Sequence, residues 1–204
     1  MRGIRSRVAM RAAAAVTTGV LAISLAACAN DSLAEQYRAG DNKGFIAGDR
    51  SIVEIPADQR GEPVEFAGTT ETGADVASAD YAGDVLVVNF WYAACGPCRA
   101  EAGDLEDAHT SFAGQDVAFL GINTIDSAEA ASAFAETYGI TYPSAIASET
   151  PAIKLAFAEK TPIQATPTTL VLDAEGRVAA RIIGQLPDPS ILKTLVRDTL
   201  AESS

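Results

Sequence analysis

An α/β fold, a central mixed sheet with helices on both faces, is what this sequence predicts, on three observations. From Val85 onward, apolar runs of strand length alternate with segments of helical period, the order that builds a sheet covered on both sides. The apolar run Val85–Val88 leads through Asn89-Phe90-Trp91-Tyr92 towards Cys95-Gly96-Pro97-Cys98, which places two thiols at a strand-to-helix turn. Farther on, Thr168 to Leu172 and Val178 to Ile183 flank Asp173-Ala174-Glu175-Gly176, a strand, a turn and its antiparallel partner.

The elements follow in order. Arg2, Arg5, Arg7 and Arg11 precede an apolar run of 16 residues, 12–27, interrupted by Thr17, Thr18 and Gly19. A spanning helix needs ~20 apolar residues, so a secretory signal over residues 1–27 fits better. Leu25-Ala26-Ala27-Cys28 resembles the bacterial lipobox, which implies that Cys28 is lipidated once the signal is removed; an uncleaved anchor with an incidental cysteine is the alternative. Several acyl chains would bury many methylenes at ~0.8 kcal/mol each, enough for stable anchoring. Residues 28–58 then read as the lipidated Cys28 followed by a flexible tether, polar and Gly/Asp-rich to about Gly48. Residues 59–204 read as the folded domain.

Within that domain, Val64-Glu65-Phe66 alternates as a short strand, Thr70–Gly73 is a turn, and Val76 begins a return, giving an N-terminal hairpin. Leu105, Ala108 and Phe112 recur at helical spacing and predict one helix over 97–112. Residues 116–123 form a buried strand. Ser127 can cap a helix with Ala130, Ala133, Phe134 and Tyr138 inside, and Gly139 ends it. A short strand over 144–147 and a short helix over 149–158 come next. Asp188-Pro189 starts a last helix lined by Ile191, Leu192, Leu195, Val196 and Leu200.

The charge narrows the partners. The chain holds 15 Lys+Arg and 27 Asp+Glu, and four of the Arg lie in residues 1–27. The remainder carries 11 basic against 27 acidic residues, a net −16 with His neutral. Such a surface argues against nucleic acid and against direct binding of anionic lipid.

Three cysteines are present. With Cys28 assigned to lipid, Cys95 and Cys98 remain as a pair in an exported protein. Two thiols so spaced at a helix N-terminus close to a disulfide with little backbone movement, and the helix favours a thiolate there. Cys95 is expected to be the attacking, more exposed thiol and Cys98 the resolving one. The alternative uses of such a pair are a structural disulfide or half a zinc site, but zinc wants four ligands and His109 is the only histidine. Glu101, one turn beyond Cys98, is open to two readings: a carboxylate that moves protons near the sulfurs, or a solvated helix-surface charge. Arg99 reads as surface charge and His109 as a bystander.

At these residues the chain resembles the TlpA/ResA-like thioredoxin family over residues 60–200. The likeness rests on Val88-Asn89-Phe90-Trp91, Cys95-Gly96-Pro97-Cys98, Glu101 and Thr166-Pro167-Thr168-Thr169, with a strand–helix insert around 140–158. Asn89 stands where cytosolic thioredoxins carry a buried Asp. The chain departs from the family at Ala94, where Trp is common, and at Gly103, where Pro is common. The resemblance implies a thioredoxin-like fold with an N-terminal hairpin and a TlpA-type insert. It implies a redox-active disulfide needing no cofactor, and a cis bond before Pro167, where an X-Pro bond in general is trans. It further implies that Trp91, Gly96, Pro97 and Thr166 line the client-binding surface, Trp91 serving as both core and lip, with the backbone of Thr166 open to an extended client.

The expected function is that of an extracytoplasmic, membrane-anchored thiol-disulfide oxidoreductase. It would reduce client disulfides such as those of apocytochrome c during cytochrome c biogenesis, with electrons from a CcdA- or DsbD-like membrane protein. Gly-Pro between the cysteines resembles the reducing thioredoxins. The alternatives are a general reductase or an oxidant of secreted proteins, or a copper-binding thiol module. Copper chaperones of this fold resemble Cys-x-x-x-Cys with a distal His, which this chain lacks. A peroxidase is not expected, since no threonine-flanked cysteine precedes the pair.

Overall fold

The structure, a computed structural model, describes residues 51–160 and 165–202. The expected signal, Cys28 and most of the expected tether lie outside the described residues. Six strands form one sheet: β1 (Ile52–Glu54), β4 (Val85–Trp91), β5 (Val117–Asn123), β6 (Ser144–Ile146), β7 (Thr168–Leu172) and β8 (Val178–Ile183). Their spatial order is β1-β8-β7-β4-β5-β6. Strands β4, β5 and β6 run parallel, joined through the helices α1 (Gly96–Ser111) and α2 (Ala128–Tyr138). Strand β7 is antiparallel to β4, as is β8 to β7 and β1 to β8. A separate antiparallel hairpin, β2 (Ala67–Thr69) and β3 (Asp75–Ala77), precedes the main sheet, and α3 (Pro151–Lys160) and α4 (Pro189–Glu202) complete the chain.

Strand β4 lies between β5 and β7, so both of its edges are hydrogen-bonded and both of its faces are covered. All seven of its residues are buried, and their alternation sends side chains to two cores. Val85 and Val87 join Leu105, Phe112, Phe119, Leu192 and Val196 beneath α1 and α4. Leu86, Val88 and Phe90 join Phe66, Ile153 and Phe157 under the hairpin and α3. Phe90 meets Phe157 edge-on at 5.4 Å, and Phe157 meets Phe66 at 5.1 Å. Each buried side chain of this size contributes about 1.5–3 kcal/mol relative to exposure, so the end of β4 is rigidly held from both sides.

The structure moves three sequence expectations. The domain begins before residue 59: β1 lies inside the stretch read as tether, Ile52 is buried in the core, and Val53 pairs with Arg181 of β8. The hairpin exists, but its strands are displaced C-terminally from Val64–Phe66. Val64 and Phe66 are buried in an extended segment outside the hairpin pairing, where Val64 N–H donates to the Gly176 carbonyl at 2.9 Å. Alternation there reports burial rather than strand pairing. On α2 the expected Phe134 is buried and the expected Tyr138 packs against it at 4.4 Å, while Ala131 is buried in place of the expected Ala130 and Ala133. Ser127 caps that helix and Gly139 ends it in the left-handed region at φ 68°, both as expected.

Candidate active site

Strand β4 ends at Trp91, a four-residue turn follows, and Cys95 is the N-cap of α1. A helix leaves its first N–H groups without intrahelical partners. Here the Cys98 N–H donates to Cys95 Sγ at 3.1 Å, so sulfur occupies the place of the usual capping oxygen. Pro97, in the first turn, has no N–H to leave unpaired. The two sulfurs form a disulfide with their Cα atoms 5.2 Å apart. On reduction, a Cys95 thiolate inherits that N–H and the positive end of the α1 dipole. Chemically, the arrangement is suited to thiol–disulfide exchange.

Cys95 and Cys98 are 2% and 3% exposed, so in the disulfide state Cys95 is not the more exposed of the two. Both side chains sit behind a rim of exposed Ala94, Gly96 and Pro97. Across the rim, β7 is entered through a cis Thr166–Pro167 bond, as the resemblance implied. The Thr166 carbonyl oxygen lies 3.9 Å from Cys95 Sγ. The entry is fixed by Gly184 N–H donating to the Pro167 carbonyl at 2.8 Å and Thr168 Oγ1 donating to the Ala165 carbonyl at 2.7 Å. Arg99 is exposed, and His109 lies in the last turn of α1, at the far end of the helix from the cysteines.

Trp91, expected in both the core and the client-facing lip, lies in the core alone. Its ring is 5% exposed, packs against Phe134 at 4.2 Å, and donates through Nε1 to Ser144 Oγ at 3.3 Å. Gly121 makes room for it: a Cβ there would stand 2.8 Å from Trp91 Nε1. The position belongs to the core beneath the disulfide, in contact with the cluster that holds both cysteines.

Glu101 is fully buried, which rules out the reading as a surface charge. One turn past Cys98 on the inner stripe of α1, its carboxylate accepts Asn89 Nδ2–H at 3.0 Å and Leu186 N–H at 2.8 Å. Asn89 also donates to Thr169 Oγ1 at 3.0 Å, tying α1, β4, β7 and the β8–α4 loop together. Burial raises the Glu101 pKa from an ordinary 4.5 to about 7; the bonds from Leu186 and Asn89 work against that rise, and the Asp104 charge adds to it. Asn89 and Cys98 both line a cavity of about 10 Å³, walled also by Trp91, Tyr142 and Ser144, a volume near the minimum for one water. The buried acid thus bonds to Asn89, which lines the same cavity as Cys98.

A second network was missed by sequence reasoning. The loop after β5 folds on itself through Asn123, whose Oδ1 accepts Asp126 N–H at 2.7 Å and Ile125 N–H at 3.2 Å. Asp126 Oδ2 accepts Asn123 Nδ2–H at 2.8 Å and reaches across to Ala93 N–H at 2.6 Å, two residues before Cys95. Thr124 N–H donates to the Trp91 carbonyl at 2.9 Å. The signal was present as Asn-x-x-Asp directly after an apolar strand, a pattern suited to side-chain turns.

With this geometry in hand, comparison with known proteins is informative. Residues 61–181 match the model of the AhpC/TSA family. The Bacillus subtilis protein named thiol-disulfide oxidoreductase ResA is 24% identical over 119 residues, spanning 58% of this chain and 64% of that protein. The Rhodobacter capsulatus thiol:disulfide interchange protein HelX is 30% identical over 116 residues, spanning 55% and 60%. In both cases the match covers less than two thirds of the relative. Among solved structures, a DsbF homologue from Corynebacterium diphtheriae superposes with a TM-score of 0.65 at 29% identity, over 78% of this chain and 99% of that one. A thioredoxin family thiol:disulfide interchange protein from Chlorobium tepidum gives 0.63 at 29% identity, over 69% and 97%. The fold is therefore thioredoxin-like, with a Cys95–Cys98 disulfide at the start of α1, and the chain belongs to the AhpC/TSA family.

Proposed function

We propose that this chain is a lipid-anchored thiol-disulfide oxidoreductase on the outer face of the bacterial cell membrane, where it reduces client disulfides. The observation that carries the reading is the Cys95–Cys98 pair at the start of α1, beside the Thr166 carbonyl. In the reaction, the Cys95 thiolate attacks a client disulfide, forming a mixed disulfide and releasing one client thiolate, which takes a proton. Cys98, losing its own proton, then attacks Cys95 Sγ. The Cys95–Cys98 disulfide closes, and the client leaves as a dithiol with two electrons gained. A membrane dithiol protein of the CcdA or DsbD kind resets the pair. Apocytochrome c, whose haem-attaching thiols must be reduced, is the client class, and Cys28 supplies the anchor.

The reducing direction is favoured by charge. Strong oxidants hold their reduced form as a stabilised thiolate. Here the buried Glu101 stands one turn from Cys98, and once ionised it disfavours further negative charge nearby. The reduction potential of the Cys95–Cys98 couple tests the reading. A value near about −250 mV or lower is expected, close to thioredoxin; a value near about −120 mV belongs to strong oxidants and would make disulfide formation the better assignment.

A further inference from the structure

We infer that Ile125 is a client-contact residue, which selects client segments carrying an apolar side chain next to their cystine on the β5–α2 side of the disulfide. The inference rests on the exchange reaction proposed above and adds a specificity determinant to it.

Two large apolar side chains stand out as exposed among the described residues, Ile125 at 63% and Leu155 at 60%. Isolated exposed hydrophobics are ordinary, so exposure alone distinguishes neither. Position does. Leu155 lies on α3, whose inner residues Ile153 and Phe157 pack on the face of the sheet opposite α1. Ile125 lies on the loop that is tied to the active-site turn from both ends. Thr124 on one side bonds the Trp91 carbonyl through its N–H at 2.9 Å and its Oγ1 at 3.2 Å. Asp126 on the other side holds Ala93 N–H at 2.6 Å. The Ile125 N–H is itself engaged by Asn123 Oδ1. The loop therefore presents its apolar side chain outward from a backbone already fixed against the turn that carries Cys95. A contact fixed in advance loses little conformational entropy when a partner binds.

Among the described residues of the turn beside the disulfide, Ala94 and Gly96 are small, Trp91 is buried and Tyr92 is half-buried against the same cluster, so Ile125 is the exposed large apolar side chain on that side. A client segment passing Cys95 meets the Thr166 backbone on one side and Ile125 on the other. Covering a side chain of this size from water is worth about a tenfold change in the second-order rate constant of exchange.

The test compares the full chain with its Ile125→Ser, Ile125→Leu and Leu155→Ser variants, each reduced beforehand with dithiothreitol. The substrates are a disulfide-closed peptide with Leu flanking its cystine, the same peptide with Ser there, and glutathione disulfide. Ile125→Ser is expected to lower the second-order rate constant of the single exchange about tenfold on the Leu peptide, with the Ser peptide, glutathione disulfide and the reduction potential unchanged. Ile125→Leu should retain the preference, and Leu155→Ser should leave it intact. An Ile125→Ser variant that keeps the Leu-peptide rate, or loses all three substrates equally, overturns the assignment. So does the same selective loss in Leu155→Ser. An unsubstituted chain that turns over none of the three, glutathione disulfide included, refutes the exchange reaction itself and the contact with it.

Discussion

Replacing Glu101 with Gln should remove most of the pH dependence of stability between about pH 4.5 and 7, because this carboxyl is the buried group whose pKa is raised into that range. The sign follows from proton uptake. Across that window the folded state keeps a proton that the unfolded state has released, so stability falls as pH rises. Carrying the carboxyl from 4.5 to about 7, at about 1.4 kcal/mol per pH unit, amounts to roughly 3 kcal/mol lost by pH 8. Gln is isosteric, and the pocket can accept it. Its Oε1 takes over the Leu186 N–H, while a flip of the Asn89 amide turns its oxygen to the new Nε2–H and to the Thr169 hydroxyl. The two proteins should therefore match near pH 4 and diverge steadily between about pH 4.5 and 7, the variant becoming more stable by roughly 3 kcal/mol at pH 8, or roughly 6–12 °C in Tm. Urea unfolding of the oxidised chain at pH 5, 6, 7 and 8 measures this directly. If Glu101→Gln keeps the slope of the parent, the carboxyl does not titrate in this window. If the variant is less stable at every pH, the two hydrogen bonds to the carboxylate outweigh the burial of its charge.

Two further outcomes test the site. Because the cysteines are equally buried, the order of attack is best read from trapping. Cys98→Ser should accumulate a mixed disulfide with a client peptide on non-reducing gels and Cys95→Ser should not; the opposite pattern would make Cys98 the nucleophile. Gly121→Ala would drive a Cβ into Ser144 Oγ and Trp91 Nε1, with an expected cost of about 1–3 kcal/mol in urea unfolding. Trp91 is the chain's one tryptophan, so its fluorescence should shift in the folded variant; unchanged emission and stability would mean that Trp91 is not packed on this glycine.

Much of the fold was legible because β4, β5, β7 and β8 are long apolar runs with clear turns between them, and because Ser127 and Gly139 punctuate α2. What escaped was decided by partners distant in the chain. Nothing local marks Ile52-Val53-Glu54 as a strand; it becomes one through β8, some 130 residues later. Val64-Glu65-Phe66 has the alternation of a strand, yet its buried side chains are claimed by the core while the ladder forms three residues on. The lip half of the expectation for Trp91, read as both core and lip, failed for a related reason. An aromatic residue before the cysteines suggests an exposed lip, but it shares the phase of Val85, Val87 and Asn89 on a central strand, and every residue of such a strand is enclosed.

Glu101 shows how the remaining ambiguity could have been reduced. Cys98, Ala102, Leu105 and Ala108 mark a stripe facing the sheet, and Glu101 falls within it at helical spacing. A surface carboxylate has no place on that stripe, so burial follows from periodicity. Burial then demands donors. Asn89, in phase with the β4 residues that face α1, is the one polar side chain along that row, and its amide meets the carboxylate. An Asp at 89 would oppose a second buried acid to the first, one of which would have to stay protonated. The amide instead leaves a single titrating group beneath the sulfurs, which is why the Glu101→Gln comparison can isolate it.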